Sequence, residues 1–443
     1  MNHREHEDIG DEPLHSILSE IGGWPVAKGD NWYKSNFSLD VVLSKLKELG
    51  YEHDFFAKIE VAPHVLAHKF NLIYIGASDL GLDDKSYYLD KLYASTMDAY
   101  LKFMLKAAKE LGSPFSAAQI QQEMEQVLHF EKKIAKVCLH EESHVKNSIL
   151  SYCTTFSLLN TQIMSLPSYQ LAATDASNRL PEILSIFDWE SNATFAFSCL
   201  LQLQGPRDPH ANILNYMNLS MIQELAPFMN WTHYLNGAFH PYIFIPDNAY
   251  MIVKNPAFLS NISSLIESTD PRIVANYVGW RVILDSTSIL SDKWALMGRK
   301  VWKQLDGREK LRNRWMYCVS VVKKFFDLGT SALYVQNLNG EEDSQSKLVK
   351  QIVKSIRDAF VDSLRSNTWM DTKTREEAIN KTSKIKIHVG YPLELLNDTA
   401  INEFYSILSV SRNYSFFENA LTLRRFRMDK KYMKVQYDNQ KGQ

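Results

Sequence analysis

The sequence predicts a mainly α protein: a large multi-helix lobe with a small β-hairpin or sheet element near the N-terminus. Three observations carry this. From residue 88 onward, apolar residues recur at three- and four-residue spacing over long stretches. Residues 54–77 instead alternate apolar and polar side chains in the strand manner. The chain has 443 residues, 45% of them hydrophobic and 23% charged, which suffices for two or more domains of ordinary globular composition.

The elements follow in order. Residues 13–50 predict helix and loop, with a turn at Gly22-Gly23-Trp24-Pro25 and an amphipathic helix from Leu39 to Leu49 stopped by Gly50. Phe55–Val61 and Phe70–Ile75 predict two strands joined as a hairpin through a turn near Pro63-His64. Helical periodicity then predicts helices over Tyr93–Leu111, Ser116–Val137, Arg272–Lys303, Lys310–Val335, Lys347–Arg365 and Asp371–Ile387. Ser116 and Asp371 are suited to cap two of these, because a short side-chain oxygen can accept from the free N–H groups of a first turn. Gly390 followed by Pro392 stops the last helix. Residues 160–260 are the least regular stretch, with one candidate strand at Tyr242–Ile245. No internal repeat or low-complexity tract is present.

Composition excludes several classes. A net charge of −2 argues against nucleic acid or an anionic membrane surface as a partner. No stretch approaches a transmembrane span, and the polar, acidic start MNHREHEDIGDEP has neither the signal-peptide nor the anchor pattern. The four cysteines, Cys138, Cys153, Cys199 and Cys318, are too few for a disulfide scaffold and lack CxxC metal spacing. Sequons stand at Asn36, Asn192, Asn218, Asn230, Asn261, Asn380, Asn397 and Asn413, roughly twice the number chance supplies, which favours an extracellular history.

One motif carries catalytic chemistry on its face. His140-Glu141-Glu142-Ser143-His144 spells HExxH, which on a helix places both imidazoles on one face for zinc and makes Glu141 a base for a metal-bound water. The surroundings do not support it. The motif falls where the apolar stripe Ile120, Met124, Val127, Phe130, Ile134, Val137 fades. Asn147 stands where a downstream glycine belongs in one class of such sites, and Thr194 falls four residues after Glu190, so no ExxxD supplies a third ligand. We read His140, Glu141 and His144 as a chance HExxH in a solvated polar turn.

Other segments, taken in order, resemble one family. These are Ile21-Gly22-Gly23-Trp24-Pro25-Val26; Asp79-Leu80-Gly81-Leu82 with Tyr87-Tyr88-Leu89; Phe130-Glu131 with Ile134-Ala135; and Asn276-Tyr277 with Trp280-Arg281. Arg314-Trp315 with Cys318-Val319 and Ala332-Leu333-Tyr334-Val335 come next, then Trp369-Met370-Asp371, Thr374 and Ala378 with His388-Val389-Gly390-Tyr391-Pro392. Together they resemble the N-terminal, non-catalytic region of neprilysin and the endothelin-converting enzymes, which are zinc metalloendopeptidases.

The resemblance implies that residues 1–90 pack beside a catalytic lobe and that residues 91–443 form the helical lobe that roofs its cavity. It implies zinc and peptide substrates for the complete enzyme, association with the catalytic half or related subunits, and an extracellular or plasma-membrane ectodomain location. It places His140–His144 in a variable stretch with no metal ligand. The family's catalytic segments follow the region of His388–Pro392, and no match to them precedes Gln443; Asn402-Glu403-Phe404-Tyr405-Ser406 is a false match to the substrate-binding segment. The chain by itself is therefore expected to hold no cofactor and to be inactive. By the same resemblance Cys318 is a disulfide cysteine whose partner lies upstream of this chain. Two functional readings follow: part of a neprilysin-like peptidase, or a non-catalytic peptide-binding or regulatory protein derived from that family.

Overall fold

The computed structural model describes residues 10–64, 70–82, 84–139, 215–307, 314–337 and 342–436. The chain divides into two units, Met1–Leu311 with Val410–Gln443, and Arg312–Ser409.

The first unit opens with α1 (Glu12–Glu20), α2 (Pro25–Lys28) and α3 (Leu39–Leu49). As the sequence predicts, α3 ends at Gly50 in the left-handed region. The hairpin strands are β1 (Lys58–Pro63) and β2 (Asn71–Gly76). They are followed by α4 (Ser86–Leu89), α5 (Ala94–Glu110) and α6 (Ala117–Leu139). Ser116 caps α6, its Oγ accepting from the Gln119 N–H at 3.4 Å while Gln119 Oε1 accepts from the Ser116 N–H at 3.0 Å. Beyond residue 214 come β3 (Asn215–Asn218), α7 (Leu219–Leu225), α8 (Trp231–Phe239), β4 (Tyr250–Val253), α9 (Pro256–Glu267), α10 (Pro271–Ser286) and α11 (Asp292–Asp306).

The four strands form one sheet in the order β1-β2-β4-β3. β1 runs antiparallel to β2, with Lys58 opposite Gly76 and Pro63 opposite Asn71; β2 is parallel to β4 and β4 antiparallel to β3. The hairpin is therefore present, but its first strand starts later than alternation predicts. Phe55 and Phe56 are both buried, which two successive strand residues facing opposite sides of a sheet do not achieve against one core. Phe56 instead packs among Phe130, Phe228 and Tyr277, with the Tyr277 ring centroid at 5.6 Å.

In the second unit, α12 (Arg314–Phe325), α13 (Asp327–Gln336), α14 (Glu342–Ser366), α15 (Thr372–Ser383) and α16 (Asp398–Phe404) succeed one another. Ala332, Val335 and Leu395 form its buried apolar cluster. Along α14, Leu348, Ile352, Ile356 and Phe360 recur every fourth residue and are exposed. α17 (Phe416–Met433) belongs to the first unit, and Ser415 and Glu418 close a reciprocal capping box at its start.

Four further expectations are corrected. Arg272–Lys303 is two helices, not one: Ser286 and Thr287 turn their hydroxyls back onto the carbonyls of Val282 and Leu284, ending α10, and Ser291 leads the chain into α11. Lys310–Val335 divides at Phe326, whose backbone leaves helical geometry between α12 and α13. Tyr242–Ile245 is not a strand, because the Asn236 side chain takes the place of a neighbouring strand. Its Oδ1 accepts from the Ile245 N–H at 2.7 Å and its Nδ2 donates to the Ile245 carbonyl at 3.1 Å. The helix after Asp371 ends at Ser383 rather than Ile387; Asp371 caps it as predicted, accepting from the Thr374 N–H at 2.9 Å.

Candidate functional site

Helix α10 is the hub of the first unit. Its buried residues occupy every side of the helix, from Val274 to Ser286. A helix of that kind cannot keep its polar side chains unless partners come to them, since a buried group without a hydrogen bond costs about 1–3 kcal/mol. Two polar groups meet these needs, and both join segments that carry the family resemblance to residues outside them.

The first group surrounds Asn276. The Trp24 indole N–H donates to the Asn276 carbonyl at 3.0 Å, and the Val26 N–H donates to Asn276 Oδ1 at 2.9 Å. Asn276 Nδ2 donates to Glu123 Oε2 at 2.7 Å. The other Glu123 oxygen accepts from Arg272, whose guanidinium also donates to the carbonyls of Pro25 and Gly29 and lies over the rings of Trp32 and Phe115. The Gly22–Pro25 turn is thereby fixed to α6 and α10.

The second group surrounds Glu131, which is 0% exposed. Its Oε1 accepts from the Gly81 N–H at 2.8 Å and its Oε2 from the Tyr100 hydroxyl at 3.2 Å. Tyr100 in turn accepts from the Trp280 indole N–H at 2.7 Å. Arg281 donates to the Asp79 carbonyl at 2.8 Å and to the Tyr277 hydroxyl at 2.9 Å, with its guanidinium 4.7 Å from the centroid of the Phe55 ring. A Cβ on Gly81 would lie 2.4 Å from the Tyr100 hydroxyl and 2.7 Å from Glu131 Oε1, so only glycine lets that backbone approach. Burial raises the Glu131 pKa above the ordinary carboxylate value, while the Arg281 charge, the Gly81 N–H and the tyrosine hydroxyls pull the other way. Burial also holds the phenols of Tyr88 and Tyr100 protonated. This group presents nothing reactive to solvent. Its chemistry is positional: it fixes the Asp79–Leu82 backbone to α5, α6 and α10.

A groove of about 810 Å³ opens elsewhere on the same unit. Phe37, Phe228, Met229 and Val274 provide apolar lining, and Asp40, Asp247 and Glu267 provide carboxylates.

The residues singled out from sequence fall as follows. His140, Glu141 and His144 lie outside the described residues, as do Asn192, Cys153 and Cys199. Among the described residues no three His, Cys, Asp or Glu side chains come together as a metal donor set, so they do not fit zinc, and no helix is long and apolar enough to cross a membrane. Asn36 stands in a single 3-10 turn, Lys34–Asn36. Asn218, Asn230 and Asn397 cap α7, α8 and α16 through their side-chain oxygens. Asn261, Asn380 and Asn413 are exposed. Cys318 is an exposed free thiol on α12, and Cys138 lies buried on α6.

Sequence reasoning did not single out Glu123 or Arg272, and it quoted Glu131 and Arg281 without a physical role. One signal was available. Glu131 occupies a slot in the apolar stripe of α6, four residues after Val127 and three before Ile134. A carboxylate on a core stripe requires a buried partner.

The model of peptidase family M13 matches residues 1–178 and 198–392. Endothelin-converting enzyme 1 of Cavia porcellus is 24% identical over 430 residues, which cover 96% of this chain and 47% of that protein. Neprilysin-11 of Caenorhabditis elegans is 25% identical over 425 residues, covering 94% and 42%. The chain thus spans about half the length of the curated relatives it matches. Among solved structures, an inhibitor complex of Mycobacterium tuberculosis zinc metalloprotease Zmp1 aligns with a TM-score of 0.67 at 17% identity, over 98% of this chain and 52% of that one. PepO from Lactobacillus rhamnosis aligns with a TM-score of 0.66 at 16% identity, over 98% and 55%. At these identities the structural likeness shows a shared fold.

Proposed function

Because the chain belongs to peptidase family M13, we propose that it is the N-terminal lobe of a neprilysin-like zinc metalloendopeptidase whose complete protein hydrolyses peptides. The observation that supports this reading most directly is the family match over both halves of the described chain, combined with coverage of only about half of each relative. The buried hydrogen bonds around Asn276 and Glu131 support a structural role for the family segments in this reading. In this reading residues 1–90 adjoin the catalytic lobe, residues 91–443 roof the cavity and limit substrate size, and zinc and the general base belong to the catalytic half. Residues 1–443 alone neither bind zinc stoichiometrically nor cut peptides, and HExxH at His140–His144 is not a site. The complete protein works outside the cell, with glycans on the sequons at Asn36, Asn192, Asn218, Asn230, Asn261, Asn380, Asn397 and Asn413. Cys318 is the thiol left for a disulfide partner.

The test is hydrolysis of a quenched fluorescent peptide by the purified chain with added zinc. No turnover is the expected result. Turnover that a chelator abolishes and that His144→Ala removes would sink the reading and restore the motif.

A second reading, a non-catalytic peptide-binding protein derived from the family, draws support from the groove lined by Phe37, Phe228 and Met229. Saturable binding of unlabelled peptides to the chain, weakened by Phe228→Ala, would favour it.

A further inference from the structure

Helix α17 closes back on the first part of the chain. Phe417, Ala420, Leu421 and Tyr432 enter the main core. Gly50, at φ 89°, lies under the helix so closely that a Cβ there would fall 2.3 Å from the Leu421 carbonyl oxygen. Polar contacts ring this apolar seam. Arg424 meets Asp285 at 2.8 Å, and Lys47 meets Asp429 as an ion pair at 2.9 Å rather than a well-aligned hydrogen bond. Lys431 donates to the Ile59 carbonyl at 2.7 Å, and Asn71 Nδ2 donates to the Lys434 carbonyl at 2.6 Å.

His53, 1% exposed, stands at the centre of the seam. Its Nδ1 shares a hydrogen bond with the Tyr234 hydroxyl of α8 at 2.9 Å, and its Nε2 shares one with the Tyr432 hydroxyl of α17 at 2.8 Å. A neutral imidazole satisfies both contacts, donating at one nitrogen and accepting at the other. An imidazolium donates at both and adds a charge to a site sealed from water. The titratable and charged groups around it are Lys47 of α3, Asp54 of its own segment, Tyr234 of α8, and Asp429, Lys431 and Tyr432 of α17. Two of these are cations, and the Asp429 carboxylate is already engaged by Lys47 and the Tyr242 hydroxyl.

We propose that α17 is an acid-released clasp: neutral His53 holds the helix against α3, α8 and the hairpin, and protonation of His53 on mild acidification releases it. The direction follows from linkage. Burial is the main cause that lowers the docked His53 pKa from 6.5 to about 4; Asp54 works against it, and Lys431 and Lys47 add to it. Once the helix lifts and His53 is wetted, the ordinary value returns. Docking is thus fully supported above pH 6.5 and loses that support as the pH falls toward 4. Between pH 7 and pH 5 the undocking equilibrium rises about 20-fold.

Amide hydrogen exchange across residues 416–433 at pH 7 and pH 5, corrected for the intrinsic pH dependence of exchange, reads this directly. Wild-type chain is expected to lose about 20-fold protection in α17, with α5 and α6 unchanged. His53→Gln, which does not titrate, is expected to abolish the difference. Gly50→Ala lifts the helix sterically and lowers its protection already at pH 7. Equal corrected exchange at the two pH values in wild type, or an undiminished rise in His53→Gln, overturns the proposal. Should His53→Gln not fold, Lys431→Met takes its place: one facing cation fewer lets the docked imidazole protonate more readily, so the acid-induced rise shrinks, and an undiminished rise again overturns the proposal.

Discussion

Trp24 donates its indole N–H to the backbone carbonyl of Asn276 across 252 residues of sequence, and the Asn276 side chain returns a bond to the Val26 N–H. A turn near the N-terminus is in this way locked to the hub helix by the carbonyl and amide oxygen of one residue, while its amide nitrogen donates to Glu123 of α6.

Asn276→Ala leaves the Val26 N–H and one Glu123 oxygen without these partners. We expect a loss of about 2–4 kcal/mol, two unmade buried bonds at roughly 1–2 each, seen as a lower urea midpoint at unchanged slope. Asn276→Asp should be worse at pH 7, since it sets a second carboxylate against Glu123. A neutral effect for either variant would show that the contact is not a source of stability.

Gly279→Ala should destabilise, although glycine in a helix interior ordinarily costs up to about 1 kcal/mol relative to alanine. A Cβ there would lie 2.3 Å from Trp24 Cδ1, and the indole is fully buried with nowhere to move. Overpacking of this kind costs about 1–3 kcal/mol. A thermal midpoint that rises in the variant would contradict the packing described here.

Glu131→Ala leaves the Gly81 N–H and the Tyr100 hydroxyl without their buried acceptor, and each buried group so orphaned costs about 1–3 kcal/mol. Glu131→Gln separates charge from hydrogen bonding, since it can still accept from the Gly81 N–H. The pH dependence has a definite sign. The folded carboxyl has a raised pKa, so its contribution to stability is complete below the ordinary value of 4.5 and declines as the pH rises through the folded value. Denaturant melts from pH 4 upward should show that component in wild type and not in Glu131→Gln.

Ile352→Gln with Ile356→Gln should leave the chain's stability within about 0.5 kcal/mol of wild type, the usual range for exposed positions. Both residues face solvent, Ile356 at 64% exposure. The readout that should change is surface hydrophobicity, as weaker binding of an apolar dye. A large drop in thermal midpoint would mean that the row Leu348, Ile352, Ile356, Phe360 packs inside the chain.

The helices were legible where an apolar stripe met a cap or a stop. α3 with Gly50, α6 with Ser116 and α15 with Asp371 begin or end where local chemistry places them. Errors arose where a side chain replaced backbone pairing or broke it. Asn236 satisfies Ile245 and removes a strand, and Ser286 and Thr287 end a helix whose apolar pattern continues. The buried polar groups were legible only in outline. Glu131 on a core stripe announces a partner, but nothing local in sequence says that the partners are Gly81, Tyr100 and Arg281. The capping box of Ser415 and Glu418 carries a readable signature, four residues spelling S-x-x-E.

Since residues 410–443 belong with residues 1–311, the second unit is an insertion within the first. Synthesis runs from one end, so a ribosome must pass through the whole insertion before the helix that covers Gly50, His53 and the hairpin exists. At about 5–20 residues per second, roughly a hundred residues hold that seam open for some 5–20 s. A nascent chain stalled near residue 330 should therefore expose apolar surface that the finished chain hides, making this interval a natural point of engagement for chaperones.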